Sequence, residues 1–325
     1  MAGERNEMIL ALTFVEEFLQ TLAKGLAQGG LYAMVALGFV LIFKATQTVN
    51  FAQGAIALVG AWFASLLLVD WVVPGRWMDD RTYLVWISSI VLAALMTAGL
   101  GLIIERLAIR PMIGEPLFSI AVITLGLEAI LRTIGFDAVN LNPRALSFPW
   151  GFNGFNLGDA FVAWTYVAIY IATAISFIAI FYFFRTRLGI AMRAVAFDQE
   201  AALAQGISVG KVFAVAWGSS AALAALAGVL SSGAPLGTGV ASAGITGLAF
   251  RALPAVILGG LDSVSGALIG GLLIGCAEVF SGQYLAAYTD VLGNGYALIV
   301  PYIVMLVVLL VRPYGLFGTP EIRRV

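Results

Sequence analysis

The sequence predicts an all-α membrane protein, a polytopic transmembrane helical bundle of eight to ten spans joined by short loops. Three observations carry that expectation. The chain of 325 residues is 61% hydrophobic and 11% charged, where soluble domains run near roughly 45–50% apolar and about 25% charged. Several windows approach or exceed about 18 apolar residues with almost no charge, among them Leu84–Ile104, Phe161–Phe184, Val212–Leu230 and Tyr296–Val311. The alternating segments of about ten residues that mark a membrane β-barrel are absent.

Taken in order, the spans fall near residues 19–43, 50–70, 84–104, 118–136, 161–184, 212–232, 245–260, 264–281 and 296–311. The first window, 8–43, allows two readings: an interfacial amphipathic helix followed by one span, or two short spans broken at Gly29-Gly30. The window 245–260 contains Arg251 and Pro254, which predicts a tilted, kinked or partly re-entrant segment. Glycine pairs four residues apart recur, as Gly25/Gly29, Gly266/Gly270 and Gly271/Gly275. Small residues at that spacing let helix backbones approach closely in lipid, so tight packing is the expectation rather than a ligand role. No loop reaches forty residues, so residues 1–325 read as one transmembrane domain with no soluble catalytic unit.

Charge sorts the loops into two sets. One holds Arg106, Arg110, Arg185, Arg187, Arg193, Lys211, Arg312, Arg323 and Arg324; the other holds Arg76, Arg81 and Arg144 among Asp70, Asp79, Asp80, Asp137, Asp159 and Asp290. The positive-inside rule puts the first set, with the C-terminus, in the cytoplasm. The net charge of −1 gives no field that would attract nucleic acid.

Much chemistry is excluded. There is no histidine, and the single cysteine, Cys276, sits in an apolar run. That removes the commonest general base and any thiolate cluster. The nearest approach to a phosphate loop, Gly206-Ile207-Ser208-Val209-Gly210-Lys211, is one residue short and is followed by Val212 where a hydroxyl would hold Mg²⁺. The chain is therefore not expected to be an enzyme, to bind a cofactor or metal, or to hydrolyse ATP itself.

The polar stretch Arg185 to Lys211 stands out between apolar neighbours. Residues 188–206 favour a helix: alanine is frequent, Asp198 and Glu200 fall early in a short helix, and Gly206 can end it. Such a helix lying along the membrane suits docking into a groove on a soluble partner, while an ordinary basic cytoplasmic loop accounts for the same pattern.

Glu200-Ala201-Ala202, three residues and Gly206 resemble the EAA loop of ABC importer permeases, which docks on the ATPase subunit. The blocks GGLYAMVALGFVLIFKATQTVNFAQGAIALVGAW (29–62), LPAVILGGLDSVSGALIGGLLIGCAEVF (253–280) and VRPYGLFGTPEIRRV (311–325) resemble the branched-chain amino acid permease family, closer to the first of its two paired permeases. The resemblance implies an importer subunit forming half of the translocation pathway. Its partners would be a second permease in a heterodimer, two ATP-binding subunits that carry ATP and Mg²⁺, and an extracytoplasmic substrate-binding protein. It implies a coupling role for Arg193, Asp198, Glu200, Ala201, Ala202 and Gly206. The substrate would be a branched-chain amino acid, for which the cavity needs little charge of its own, or urea, a short amide, an aromatic or another organic acid.

The family commonly has histidine where this chain has Gln53. Asn50 and Gln53, near a helix start, read either as bracing the pathway or as an N-cap and turn. The ionisable residues inside spans are the other candidates for the pathway or its gate. Glu128 and Arg132, four apart, share a helix face, and Arg251 and Glu278 are the remaining two. Internal salt bridges or snorkelling side chains account for the same residues. A competing class, an autonomous secondary transporter or channel, would need its own coupling-ion site, and Glu128 and Glu278 are the intramembrane acids expected to supply it.

Overall fold

The computed structural model describes residues 2–75, 82–138, 146, 148–158, 160–237, 239–240 and 243–318. Arg76, Asp79, Asp80, Arg81, Arg144, Asp159, Arg323 and Arg324 lie outside the described residues.

The axis of the bundle is α1 (Ala2–Thr46), one unbroken helix. The break expected at Gly29-Gly30 does not occur. Glycine weakens a helix interior by about 1 kcal/mol relative to alanine, but here both glycines are used for close approach. A Cβ on Gly29 would lie 2.7 Å from Leu272 Cα, and one on Gly30 would lie 2.8 Å from Thr173 Oγ1. From Leu31 to Leu37 every side chain of α1 is buried, because other helices surround it on all sides.

α2 (Gln53–Ser65) ends in a π-helical turn, Leu66–Asp70. α3 (Thr82–Ile104) runs on through a π turn, Glu105–Ile109, and a 3-10 turn, Arg110–Met112. α4 (Leu117–Ala138) follows. A small antiparallel hairpin, β1 (Gly154–Leu157) with β2 (Ala160–Ala163), pairs Gly154 with Ala163 and leads into α5 (Trp164–Phe183). Then come α6 (Arg187–Phe197), α7 (Gln199–Ala204), α8 (Val209–Ser231), α9 (Ala243–Gly259), α10 (Val264–Tyr284), α11 (Thr289–Leu292) and α12 (Tyr296–Val311).

Among the described residues seven helices are long and apolar enough to cross a membrane, and an eighth is reached if α12 is joined to the short turns before it across an 86° bend. α9, with 17 residues, is a shorter apolar helix. The protein is thus a polytopic helical membrane protein, as composition predicts.

α9 stays helical through Pro254. Proline removes the hydrogen bond to the carbonyl four residues back. That carbonyl, Phe250 O, accepts instead from the Tyr302 hydroxyl of α12 at 3.0 Å. In lipid, where water cannot satisfy a freed carbonyl, such a substitute donor lets the helix continue.

Glycine and alanine fix the crossings. A Cβ on Gly275 would sit 2.2 Å from Gly29 Cα, one on Gly271 2.6 Å from Ala33 Cα, and one on Gly25 3.1 Å from Cys276 Cα, so α1 and α10 meet backbone to backbone. Gly270 does the same against Ala255 O of α9, Gly60 against Ala225 of α8, and Gly228 against Ala57 O of α2. The outer faces of α3, α5 and α12 carry exposed apolar side chains such as Leu95, Ile175 and Leu310. A bundle that is apolar outside as well as inside is built for lipid.

The two ends of the bundle differ in chemistry. At one end Lys44 lies 5.5 Å over the Phe184 ring, Arg110 reaches Gly210 O at 3.4 Å, and the tail pairs with α9 through Leu316 N to Leu258 O at 2.8 Å. This is the basic end. At the other, Phe148 stacks on Trp150 with Trp86 against both rings, Trp150 Nε1 donates to Thr165 Oγ1 at 3.0 Å, and Gln283 Nε2 donates to Glu17 Oε1 at 2.8 Å. This is the aromatic end.

Candidate functional site

A cavity of about 560 Å³ opens among α1, α9, α10 and the segment after α8. Its rim lies at the aromatic end, with Glu17, Ser231, Gln283 and Ala297. Its deeper wall carries Gln28, Arg251 and Glu278, beside the apolar Leu31, Ile245, Leu248 and Val279. Arg251 comes from the middle of α9 and Glu278 from α10, and the helix crossing brings them within 3.4 Å, Nη1 to Oε1. The other carboxylate oxygen, Oε2, accepts from the hydroxyl of Tyr32 on α1 at 2.5 Å. Tyr32 Oη in turn accepts from Gln28 Nε2 at 2.8 Å. Four residues from three helices therefore form one chain of hydrogen bonds, Gln28–Tyr32–Glu278–Arg251. Tyr32 is fully buried, so Glu278 is held from the protein side while Arg251 meets it from the cavity side.

Asn50 and Gln53 are brought together elsewhere. Asn50 Oδ1 accepts from Ala52 N at 3.0 Å, an Asx turn that starts α2, and Asn50 Nδ2 donates to Gln53 Oε1 at 3.0 Å. Gln53 Nε2 donates to Ser220 O on α8 at 3.3 Å, and Ser220 Oγ donates to Gly38 O on α1 at 3.0 Å. Both side chains are fully buried and neither lines the cavity above. Asn50 supplies the turn before α2, and together the two side chains tie α1, α2 and α8 through buried hydrogen bonds.

Glu128 and Arg132 do pair, Nε to Oε1 at 3.1 Å, one turn apart on α4. Arg132 is about half exposed, and the pair faces away from the cavity. The sequence reading overlooked a third intramembrane acid. Glu105 is 1% exposed and takes two hydrogen bonds from Arg110, at 3.0 and 2.9 Å, at the basic end of α3. Its spacing of five from Arg110 hid it, because only the π turn places the two on one face. Tyr32 and Gln28 were overlooked too, since nothing local marks a tyrosine whose partner lies 246 residues away.

The segment 188–206 forms two helices rather than one. Asp198 takes an extended conformation, φ −158° and ψ 110°, which ends α6 and starts α7. Its carboxylate caps α7 by accepting from Ala201 N at 2.9 Å. Ala202 is buried against the bundle, while Glu200, Ala201 and Gly206 are exposed. Gly206, at φ +78°, closes α7 as Ile207 N reaches back to Ala202 O at 3.0 Å. Arg193 of α6 donates to Phe184 O at 3.2 Å and so pins α6 to the end of α5. The two short helices present Phe197, 95% exposed, and Leu203, 52% exposed, to the outside of the basic end.

A bundle of long apolar helices around a solute-sized cavity, with a pair of short helices on the end far from its mouth, defines a helical membrane permease. Residues 21–309 match the family described as the branched-chain amino acid transport system / permease component, and the chain belongs to that family. It is 30% identical over 317 residues to the high-affinity branched-chain amino acid transport system permease protein BraD of Pseudomonas aeruginosa, covering 96% of this chain and 99% of that protein. It is 31% identical over 319 residues to the permease protein LivH of Escherichia coli, covering 95% and 98%. A probable LivH of Methanocaldococcus jannaschii is 30% identical over 298 residues, covering 89% of each.

Proposed function

We propose that this chain is one permease subunit of an ATP-driven importer of branched-chain amino acids, lining half of the path through the cytoplasmic membrane. Its relatives carry that transport in their names, and the match spans nearly the whole of both chains. The observation that carries the reading is the placing of two features on one rigid bundle. The polar cavity opens at the aromatic end, and the capped helix α7, with Glu200 outward, stands at the basic end.

In this reading the basic end faces the cytoplasm, where Arg106, Arg110, Arg185, Arg187, Arg193 and Lys211 satisfy the positive-inside rule. Exposed Phe197 and Leu203 dock α6 and α7 into a groove of an ATP-binding subunit. The aromatic end receives substrate from an extracytoplasmic binding protein. A second permease closes the open side of the cavity. Closure of the ATPase dimer shifts α6 and α7, and the packed helices pass between two arrangements. ATP and Mg²⁺ stay on the partner subunits.

The test is the double substitution Glu200→Ala and Gly206→Ala in the assembled transporter. Hydrolysis should continue while uptake is lost. Undiminished uptake would remove α7 from the coupling path.

A further inference from the structure

We infer that Arg251 and Glu278 form a receptor for the two opposite charges of a free α-amino acid, Arg251 taking the carboxylate and Glu278 the ammonium, with their own ion pair as the resting state. This rests on the importer reading above and adds to it the side chains that would hold the two charges of the amino acid.

Four observations on the cavity wall converge on it. First, the ion pair is loose. A guanidinium and a carboxylate can make two parallel bonds of about 2.7–2.9 Å, whereas the bond between Arg251 and Glu278 is a single one of 3.4 Å. Arg110 and Glu105 in the same chain show the tight two-point form. Second, Glu278 does not depend on Arg251 for its position. Tyr32, itself held by Gln28, fixes Oε2 from the buried side, which leaves Oε1 as the contact toward the cavity. Arg251 sits on a different helix with a long side chain and can turn aside without releasing its partner.

Third, the charges are costly where they stand. Both lie in apolar helices, and an ion pair that serves only structure can be replaced by apolar side chains without loss. A pair that lines a cavity and trades its partner for a solute has a reason to be charged. Fourth, the wall beside the pair is apolar: Leu31, Ile245, Leu248 and Val279 line the same cavity. A zwitterion with an aliphatic side chain presents the complement, two opposite charges on one carbon and a hydrophobic remainder. Its net charge is zero, so the site keeps its balance when loaded. A neutral amide or urea would leave the Arg251–Glu278 pair in its resting contact, and an organic acid would engage Arg251 with nothing to offer Glu278. The chemistry thus separates amino acids from the other solutes that the family resemblance allows, and the cavity carries the charge that the sequence reading did not expect of it.

The experiment uses the complete transporter in vesicles, with its binding protein, and follows labelled leucine. The variants are Arg251→Gln, Glu278→Gln, the neutral double and Arg251→Lys. A structural ion pair is repaired by the neutral double, since no unpaired charge remains. A substrate site is not, because both contacts are gone. The double should assemble in wild-type yield by size exclusion yet lose at least about tenfold in leucine uptake, the equivalent of one lost charged hydrogen bond. Arg251→Lys should keep more uptake than Arg251→Gln. Wild-type uptake by the neutral double would overturn the proposal, also where the single variants fail to assemble. Failure of the importer reading looks different: the unaltered transporter would then show no hydrolysis stimulated by the binding protein.

Discussion

Gly38 and Gln53 fit as a gap and its occupant. A Cβ at position 38 would lie 2.3 Å from Gln53 Nε2 and 2.9 Å from Ser220 Oγ. Gly38→Ala must therefore push aside a buried amide, and it should lower stability by about 1–3 kcal/mol. Gln53→Leu removes the acceptor of Asn50 Nδ2 and should cost about 1–3 kcal/mol through the unsatisfied donor. Thermal unfolding of the purified protein in detergent measures both. Unchanged midpoints would mean that the three-helix tie carries no load.

The backbone contact of α1 with α10 makes a second prediction. Gly275→Ala and Gly29→Ala each place a methyl group inside another backbone, and each should destabilise by about 1–3 kcal/mol. Gly126, on the open face of α4, has no neighbour within 4 Å of an added Cβ. Gly126→Ala should be neutral or stabilising by up to about 1 kcal/mol through helix propensity. Equal effects at positions 126 and 275 would contradict the packing described.

Glu128 and Arg132 form an ion pair on the outer face of a membrane-spanning helix. Removing one member leaves the other unpaired in an apolar surrounding. Arg132→Ala should destabilise, and adding Glu128→Ala should restore part of the loss, with a coupling of about 1 kcal/mol in the double-mutant cycle. Simple additivity would show that the two side chains act independently.

Gly206 has φ +78°, a region that asparagine tolerates and β-branched residues do not. Gly206→Val should uncouple uptake from hydrolysis more strongly than Gly206→Asn. Asp198→Ala, which removes the cap from α7, should weaken the local helix by about 1 kcal/mol and reduce uptake at unchanged expression. If valine and asparagine behave alike, the turn at 206 does not set the position of α7.

The orientation is open to chemical labelling. Phe197 is exposed at the basic end. In a Cys276→Ser background, Phe197→Cys should react with a membrane-impermeant maleimide in inside-out vesicles and not in intact cells. The reverse pattern would invert the bundle.

Spans, glycine crossings and the polar segment 185–211 are all written in local sequence, because each depends on periodicity or on residues a few positions apart. Gly271 and Gly275 could be assigned to packing from their spacing alone. The pairing of Glu128 with Arg132 could likewise be read from one helical turn. What stayed hidden is non-local. No pattern around Tyr32 points to Glu278, and no pattern around Pro254 points to Tyr302. The division of 188–206 into α6 and α7 was hidden for another reason. Asp198 can sit inside a helix or cap one, and only the packing of Ala202 against the bundle decides between the two. The unbroken α1 is a similar case: Gly29-Gly30 looks like a break until the Leu272 backbone and the Thr173 side chain that fill its two gaps are known.

Where Gly29 meets Gly275, there is no side chain between α1 and α10 to bend, rotate or yield. The two helices are bolted together, and Tyr32 and Glu278 ride on that joint as a fixed fitting. α9 is joined to α10 in the same way, Gly270 against Ala255 O and Gly259 against Gly266 O. The part left free to move is the Arg251 side chain, so a change in its 3.4 Å contact with Glu278 would come from rotation about its own bonds and not from a sliding of helices.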